Sequence, residues 1–397
     1  MVERHGDDAL AIKAAGKAVA EIRFHGRDQG NLAKAKESFD QLCAIAGTRP
    51  DNSDIRKRLL NGTMQLTACY AKCGNLADMG SLGDTLRRFT KACPSDPTLY
   101  AGLAEIAAAM MIQAALDGDQ DGTRSAYSEI TAITKAYGDQ PHILATYARA
   151  TANMVAYAAE SGHVAEAHRL VRRLAQLSKR RIASARVRHH RAEGLFNLIA
   201  HEAAHGEVPA SLELYQEMTE FAELHPRDRD LSTTLADAAF AVITVLGNRR
   251  MPAIAEEVYE DIRTRVMPHA ATIEAKRSLA CAAFNLITDF CRVEEVSRAR
   301  ELYEDILGLS VDTDDDAIAL TLAKAGVNII LACEWAGRSE MADCVHEDLL
   351  ALVSARPELR DIQDTIERLS EVFDELEPDE VDTVEIERPG DSGGHPI

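Results

Sequence analysis

Aromatic residues are scarce in this chain, 5% of the total with a single Trp, so an interior must be assembled from Ala, Leu, Ile, Val and Met. Small aliphatic side chains suit helices lying close together, and almost no strand is expected. Cysteine is present eight times but never as Cys-x-x-Cys, which excludes the common zinc-finger and thioredoxin spacings. Cys69 and Cys73, one helical turn apart, could share a metal; buried free thiols in a reducing compartment are the plainer reading. No run of 18 uncharged apolar residues occurs, and the opening Met-Val-Glu-Arg-His-Gly-Asp-Asp carries charge where a secretory signal needs a basic and then an apolar stretch. A soluble, cytoplasmic protein without membrane contact is expected. Net positive charge is also lacking: the formal charge is −20, which excludes a binder of nucleic acid or anionic membranes over its whole surface. No Walker loop, dinucleotide-binding glycine motif, nucleophile elbow or paired-carboxylate cleft is written in the sequence.

What is present is a period. Gly30, Gly74, Gly118, Gly162 and Gly206 recur every 44 residues, each interrupting a helical pattern at one phase. The register then loosens, with Gly247 and Gly337 punctuating later units. After the glycines run Gly-Asn-Leu-Ala-Lys-Ala-Lys-Glu-Ser-Phe from Gly30, Gly-Asn-Leu-Ala-Asp-Met from Gly74 and Gly-Glu-Val-Pro-Ala-Ser-Leu-Glu-Leu-Tyr from Gly206. Apolar residues three or four apart make each a helix with one buried stripe. Tyr127, Tyr215, Tyr259 and Tyr303 share a phase on this second helix, and Phe196, Phe240 and Phe284 share one on the longer helix before the glycine. Glycine there takes the left-handed conformation that ends a helix. Asp96-Pro97 reads as an N-cap with proline in the first turn, and Asp312 to Asp316 load acid onto an N-terminus. The expectation is an all-α, right-handed α-α superhelix of about eight antiparallel helix pairs with a final helix near Glu358–Glu375. It forms one solenoid domain over 1–377, followed by an acidic, disordered tail over 378–397.

The stretch Gly162-His-Val-Ala-Glu-Ala-His-Arg-Leu-Val-Arg-Arg-Leu174 resembles the turn and second helix of a tetratricopeptide repeat. The resemblance spans nearly the whole chain and departs from the family in two ways: the period is longer than the usual length of about 34 residues, and the Trp and Tyr of the first helix are mostly replaced by Ala, Thr, Leu or Phe. A HEAT-like or armadillo-like solenoid is the structural alternative. The resemblance implies a non-catalytic scaffold or adaptor that binds proteins or peptides on a concave face lined by one helix per unit.

One column of the first helix reads Gln65, Ala109, Asn153, Asn197, Ala241, Asn285 and Asn328. Its amides both donate and accept, so Gln65, Asn153, Asn197, Asn285 and Asn328 form a candidate ladder for an extended peptide backbone; equally, each could tie its helix to a neighbour. The resemblance lends Asn153, Asn197, Asn285 and Asn328 a groove-facing role. The flanking Ala152, Ala156, Phe196 and Ala200 lack the cationic clamp of chaperone-tail binders in that family.

From Ala167 to Ala192 there is no acid, but Arg169, Arg172, Arg173, Lys179, Arg180, Arg181, Arg186, Arg188 and Arg191 occur with three histidines. They are either a solvated face or an anion site for an acidic partner, a nucleic-acid backbone or the chain's own Glu371–Glu387, which holds nine acids and no Lys or Arg. Without the residues after 370, the body still carries 43 Lys and Arg against 54 Asp and Glu. Lastly, His201-Glu202-Ala203-Ala204-His205 matches the zinc-hydrolase pattern, with Glu217, Glu220 or Glu223 as third-ligand candidates; the repeat already accounts for it as the last turn of a first helix. No cofactor is expected.

Overall fold

The computed structural model describes residues 2–267 and 271–375, so the expected acidic tail lies outside the described residues. Seventeen α-helices and no strand occur among them. The first nine are α1 (Val2–Arg23), α2 (Leu32–Thr48), α3 (Ser53–Lys72), α4 (Leu76–Ala92), α5 (Pro97–Leu116), α6 (Gln120–Tyr137), α7 (Pro141–Glu160), α8 (Val164–Ser178) and α9 (Ala185–Ala204). The rest are α10 (Val208–Glu223), α11 (Arg229–Asn248), α12 (Pro252–Val266), α13 (Ile273–Arg292), α14 (Val296–Asp312), α15 (Asp316–Trp335), α16 (Ser339–Ala355) and α17 (Arg360–Glu375). A short π-helical segment, Phe24–Asp28, extends α1.

Contacts divide the chain between Gly194 and Leu195, inside α9, into two compact units. In the first, α1, α3, α5 and α7 pack in order, each also on the even-numbered helices beside it: α3 meets α1, α2, α4 and α5, and α5 meets α3, α4, α6 and α7. The second repeats this scheme, with α13 against α11, α12, α14 and α15, and with α17 closing on α15 and α16. Each unit is therefore a stack of helix pairs in sequence order, one layer odd and one even.

The layering follows from the side chains. In α8 the buried residues are Ala167, Leu170, Val171, Leu174 and Leu177, a single stripe, and the opposite side is charged. One face suffices for a helix flanked on one side. In α5, Leu99, Ala101, Leu103, Ala104, Ile106, Ala108 and Met111 are all buried, because a helix wedged between two odd and two even neighbours needs apolar residues nearly all round. By length and composition α5, α11 and α15 are apolar enough to cross a membrane; here 56–61% of each such stretch is buried against the rest of the protein.

Starts and stops are chemical. Asp96 accepts from the Thr98 amide at 2.8 Å with Pro97 in the first turn, and Asp315 accepts from the Ile318 amide at 3.1 Å. Both N-cap aspartates also tie back to the previous odd helix, Asp96 to Arg56 and Asp315 to Arg277 at 2.6 Å. Between helices of a pair, Gly30, Gly74, Gly118, Gly162, Gly206 and Gly337 have φ between 64° and 77°. Gly247 is different from the sequence expectation: it lies inside α11, where the Asp289 carboxylate packs against it. The turns of those later units fall on Arg250 (φ 57°) and Glu294 (φ 62°), the two described non-glycine residues with positive φ.

Candidate functional site

In each unit the odd helices leave a narrow strip half exposed: in the first it holds Gln65 of α3 and Asn153 of α7, and in the second Asn197 of α9, Asn285 of α13 and Asn328 of α15, all half-buried. Asn285 donates its Nδ2 to the Thr244 hydroxyl of α11 at 2.9 Å, and Asn328 donates to Thr288 of α13 at 3.0 Å. Each threonine in turn donates one turn back, to the carbonyls of Phe240 and Phe284 at 2.8 and 3.0 Å. Two of the amides thus tie neighbouring helices, while no described residue donates to their Oδ1 atoms. Those acceptors stay available on a face that is only half covered.

Phe196, Phe240 and Phe284, with Val327 one unit on, are half-buried immediately beside the amide column. Their spacing is legible in the sequence, and so is the phase shared with the amides one residue away; their place on a half-exposed strip is not. A half-exposed phenyl row beside backbone-competent acceptors gives an apolar floor and a polar edge, the two elements that hold an extended chain. Asp237 and Asp289 border the strip, and burial pushes both carboxyls upward; Ser278 donates to Asp237 at 2.5 Å, and Arg292 approaches Asp289 at 3.4 Å.

The arginine-rich segment does not form one surface. Arg191 is buried and reaches the Ser178 hydroxyl at 3.3 Å, and Arg188 is half-buried. Arg173 donates to the Tyr147 hydroxyl at 2.9 Å; Arg180 donates to the Gly138 carbonyl at 3.1 Å and lies 3.6 Å from Asp139. Arg169, Arg172, Lys179, Arg181 and Arg186 remain exposed, with no acidic partner among the described residues.

His201 and His205 sit ring to ring, centroids 4.1 Å apart, and Nδ1 of His205 is 2.8 Å from the His201 carbonyl. Glu202 is buried at 6% exposure. Among the described residues, the group that brings three ligand-type atoms together is instead His189, His190 and Glu193. Nε2 of His189 and Nδ1 of His190 lie 3.0 and 2.6 Å from the two Glu193 oxygens. Burial pushes the Glu193 carboxyl up, but these two hydrogen bonds outweigh it and hold it at about 2.

A polar seam between successive even helices is not legible in the sequence. Tyr215 and Tyr259 donate to Asp261 and Asp305 of the next even helix at 3.4 and 3.3 Å. Arg87–Glu129, Arg124–Glu166 and Arg263–Asp305 bridge even helices at 2.7, 3.2 and 3.0 Å. Among solved structures, a human IFIT1 dimer with PPP-AAAA has 13% identity over 94% of this chain and 88% of that chain, at a TM-score of 0.30. At that score the two superpose too loosely for site residues or a partner to carry across. Neither a protein-family model nor a curated protein matches this sequence.

Proposed function

We propose that the chain is a non-catalytic, cytoplasmic scaffold of tetratricopeptide-like units about 44 residues long, binding an extended peptide or protein segment along the odd-helix strip. The observation that carries this reading is the phase-locked row of half-exposed Phe240, Phe284 and Val327 beside the acceptors of Asn285 and Asn328, on three helices packed in order. Apolar anchors of the ligand would seat against the phenyl rings, and its backbone N–H groups would donate to the free Oδ1 atoms. Because stacked helices hold these groups in place, the receptor loses little entropy when a chain docks.

The test is selection of binders from a random-peptide library on the full-length protein, followed by measurement on two variants. Phe284→Glu places a charge in the strip and is expected to abolish binding of the enriched peptides. Glu301→Lys, an exposed change on α14, is expected to leave it intact. Equal retention by Phe284→Glu would refute the strip as the site.

A further inference from the structure

The net charge of −20 conceals a division. Residues 1–194 hold 27 Lys and Arg against 21 Asp and Glu, whereas 195–375 hold 16 against 36. The first unit is therefore basic, and the whole-chain charge that argues against nucleic acid does not apply to it.

Within that unit the cations gather on the rim where even helices end and odd helices begin. Lys91 and Lys135 lie exposed in the last turns of α4 and α6, and Lys179 follows α8 at the same phase. Helix C-termini favour lysine for local reasons, but one per unit at one phase also makes a row of positive charge. Arg169 and Arg172 of α8 and Lys179 just after it share an exposed face running down to this rim, where Arg181 follows. Asp139, the acid of the Gly138–Gln140 connection, is offset by Arg180.

Beside the row stands an aromatic platform. Tyr100 of α5 and Tyr137 of α6 stack with centroids 4.3 Å apart at 23°, and the Tyr137 hydroxyl donates to the Pro94 carbonyl at 2.7 Å, which fixes its ring. The next residue, Gly138, accepts from Arg180, so the platform and the arginine-rich loop adjoin. Both rings are only half-buried.

We infer that this rim binds single-stranded nucleic acid, its phosphates along Lys91, Lys135, Lys179 and Arg181 and a base stacked on the Tyr100–Tyr137 pair. Cations tracking a backbone beside a π-face are the requirements for sequence-tolerant single-strand binding. An acidic peptide would satisfy the charges and leave the stacked rings without a role. This ligand surface is separate from the odd-helix strip of the second unit and does not depend on the peptide reading.

Fluorescence anisotropy of a short labelled oligouridylate with the full chain tests it. Binding that weakens steeply with salt is expected, and the triple variant Lys91→Glu, Lys135→Glu, Lys179→Glu should weaken it at least roughly ten-fold and flatten the salt slope. These side chains are exposed, so the fold is retained. Tyr137→Leu should cost roughly ten-fold with the slope preserved. An abasic strand of equal phosphate number checks the stacking without any mutation and should bind about as weakly as that variant. No binding at low salt, full binding by the triple variant, or equal binding of the abasic strand or a polyglutamate peptide would each overturn the proposal.

Discussion

Thr288 illustrates how a single hydroxyl joins two helices, accepting from Asn328 and donating to the Phe284 carbonyl. Thr288→Val keeps the shape and removes both bonds; because Asn328 is only half-buried and can rehydrate, a loss of about 1 kcal/mol in urea denaturation is expected. At Glu193 the sign of the pH effect is set by a folded value of about 2, depressed below the unfolded one of about 4.3. Its contribution is present above pH about 4.3 and lost as pH falls through about 2, so the stability gap between the protein and Glu193→Gln should close across that window. Thiol chemistry is equally residue-specific. Burial pushes Cys43 and Cys291 up to about 12, while Cys73 and Cys344 are exposed; alkylation of the native protein at mild pH, read by mass spectrometry, should mark Cys73 and Cys344 first.

For single elements, much was readable from residue order. Asp96-Pro97 announced α5, the stripe of α8 announced its buried face, and the acid run at Asp312–Asp316 placed the start of α15. The turn after α11 was misplaced because the left-handed position there is filled by Arg250, as Glu294 fills it after α13; neither gives a compositional cue, and Gly247 drew attention to a packing site instead. That misplacement makes a prediction: neither side chain makes a described contact, so Arg250→Gly or Glu294→Gly relieves strain at no loss of packing. Each should raise stability by about 0.5–1 kcal/mol, measured by denaturant midpoint. The candidate strip was half legible. A phase shared by amides is visible in one dimension, but whether they face a ligand or a threonine depends on which helix lies alongside. The Tyr100–Tyr137 stack, two rings on different helices, needed the fold to appear at all.

Taken as a molecule, the chain shows why bulk charge misleads: a sum over 397 residues averages a basic unit with an acidic one. Its stability should be similarly divided, since helices that meet only their neighbours fold as a chain of local contacts. Trp335, the single Trp, lies in the second unit and is 55% exposed. Its emission should therefore follow a urea transition whose midpoint differs from that of far-ultraviolet ellipticity, which sums every helix; coincident curves would instead mark one cooperative body. Within the second unit the threonine relays impose a mechanical rule. Sliding α13 along α11, or α15 along α13, by one turn would break the hydrogen bond from the asparagine Nδ2 to the threonine hydroxyl, whereas a small change of tilt would preserve it. Such a stack yields to force by flexing and resists shear, so a docked chain would meet a surface whose curvature can vary while its spacing along each helix stays constant.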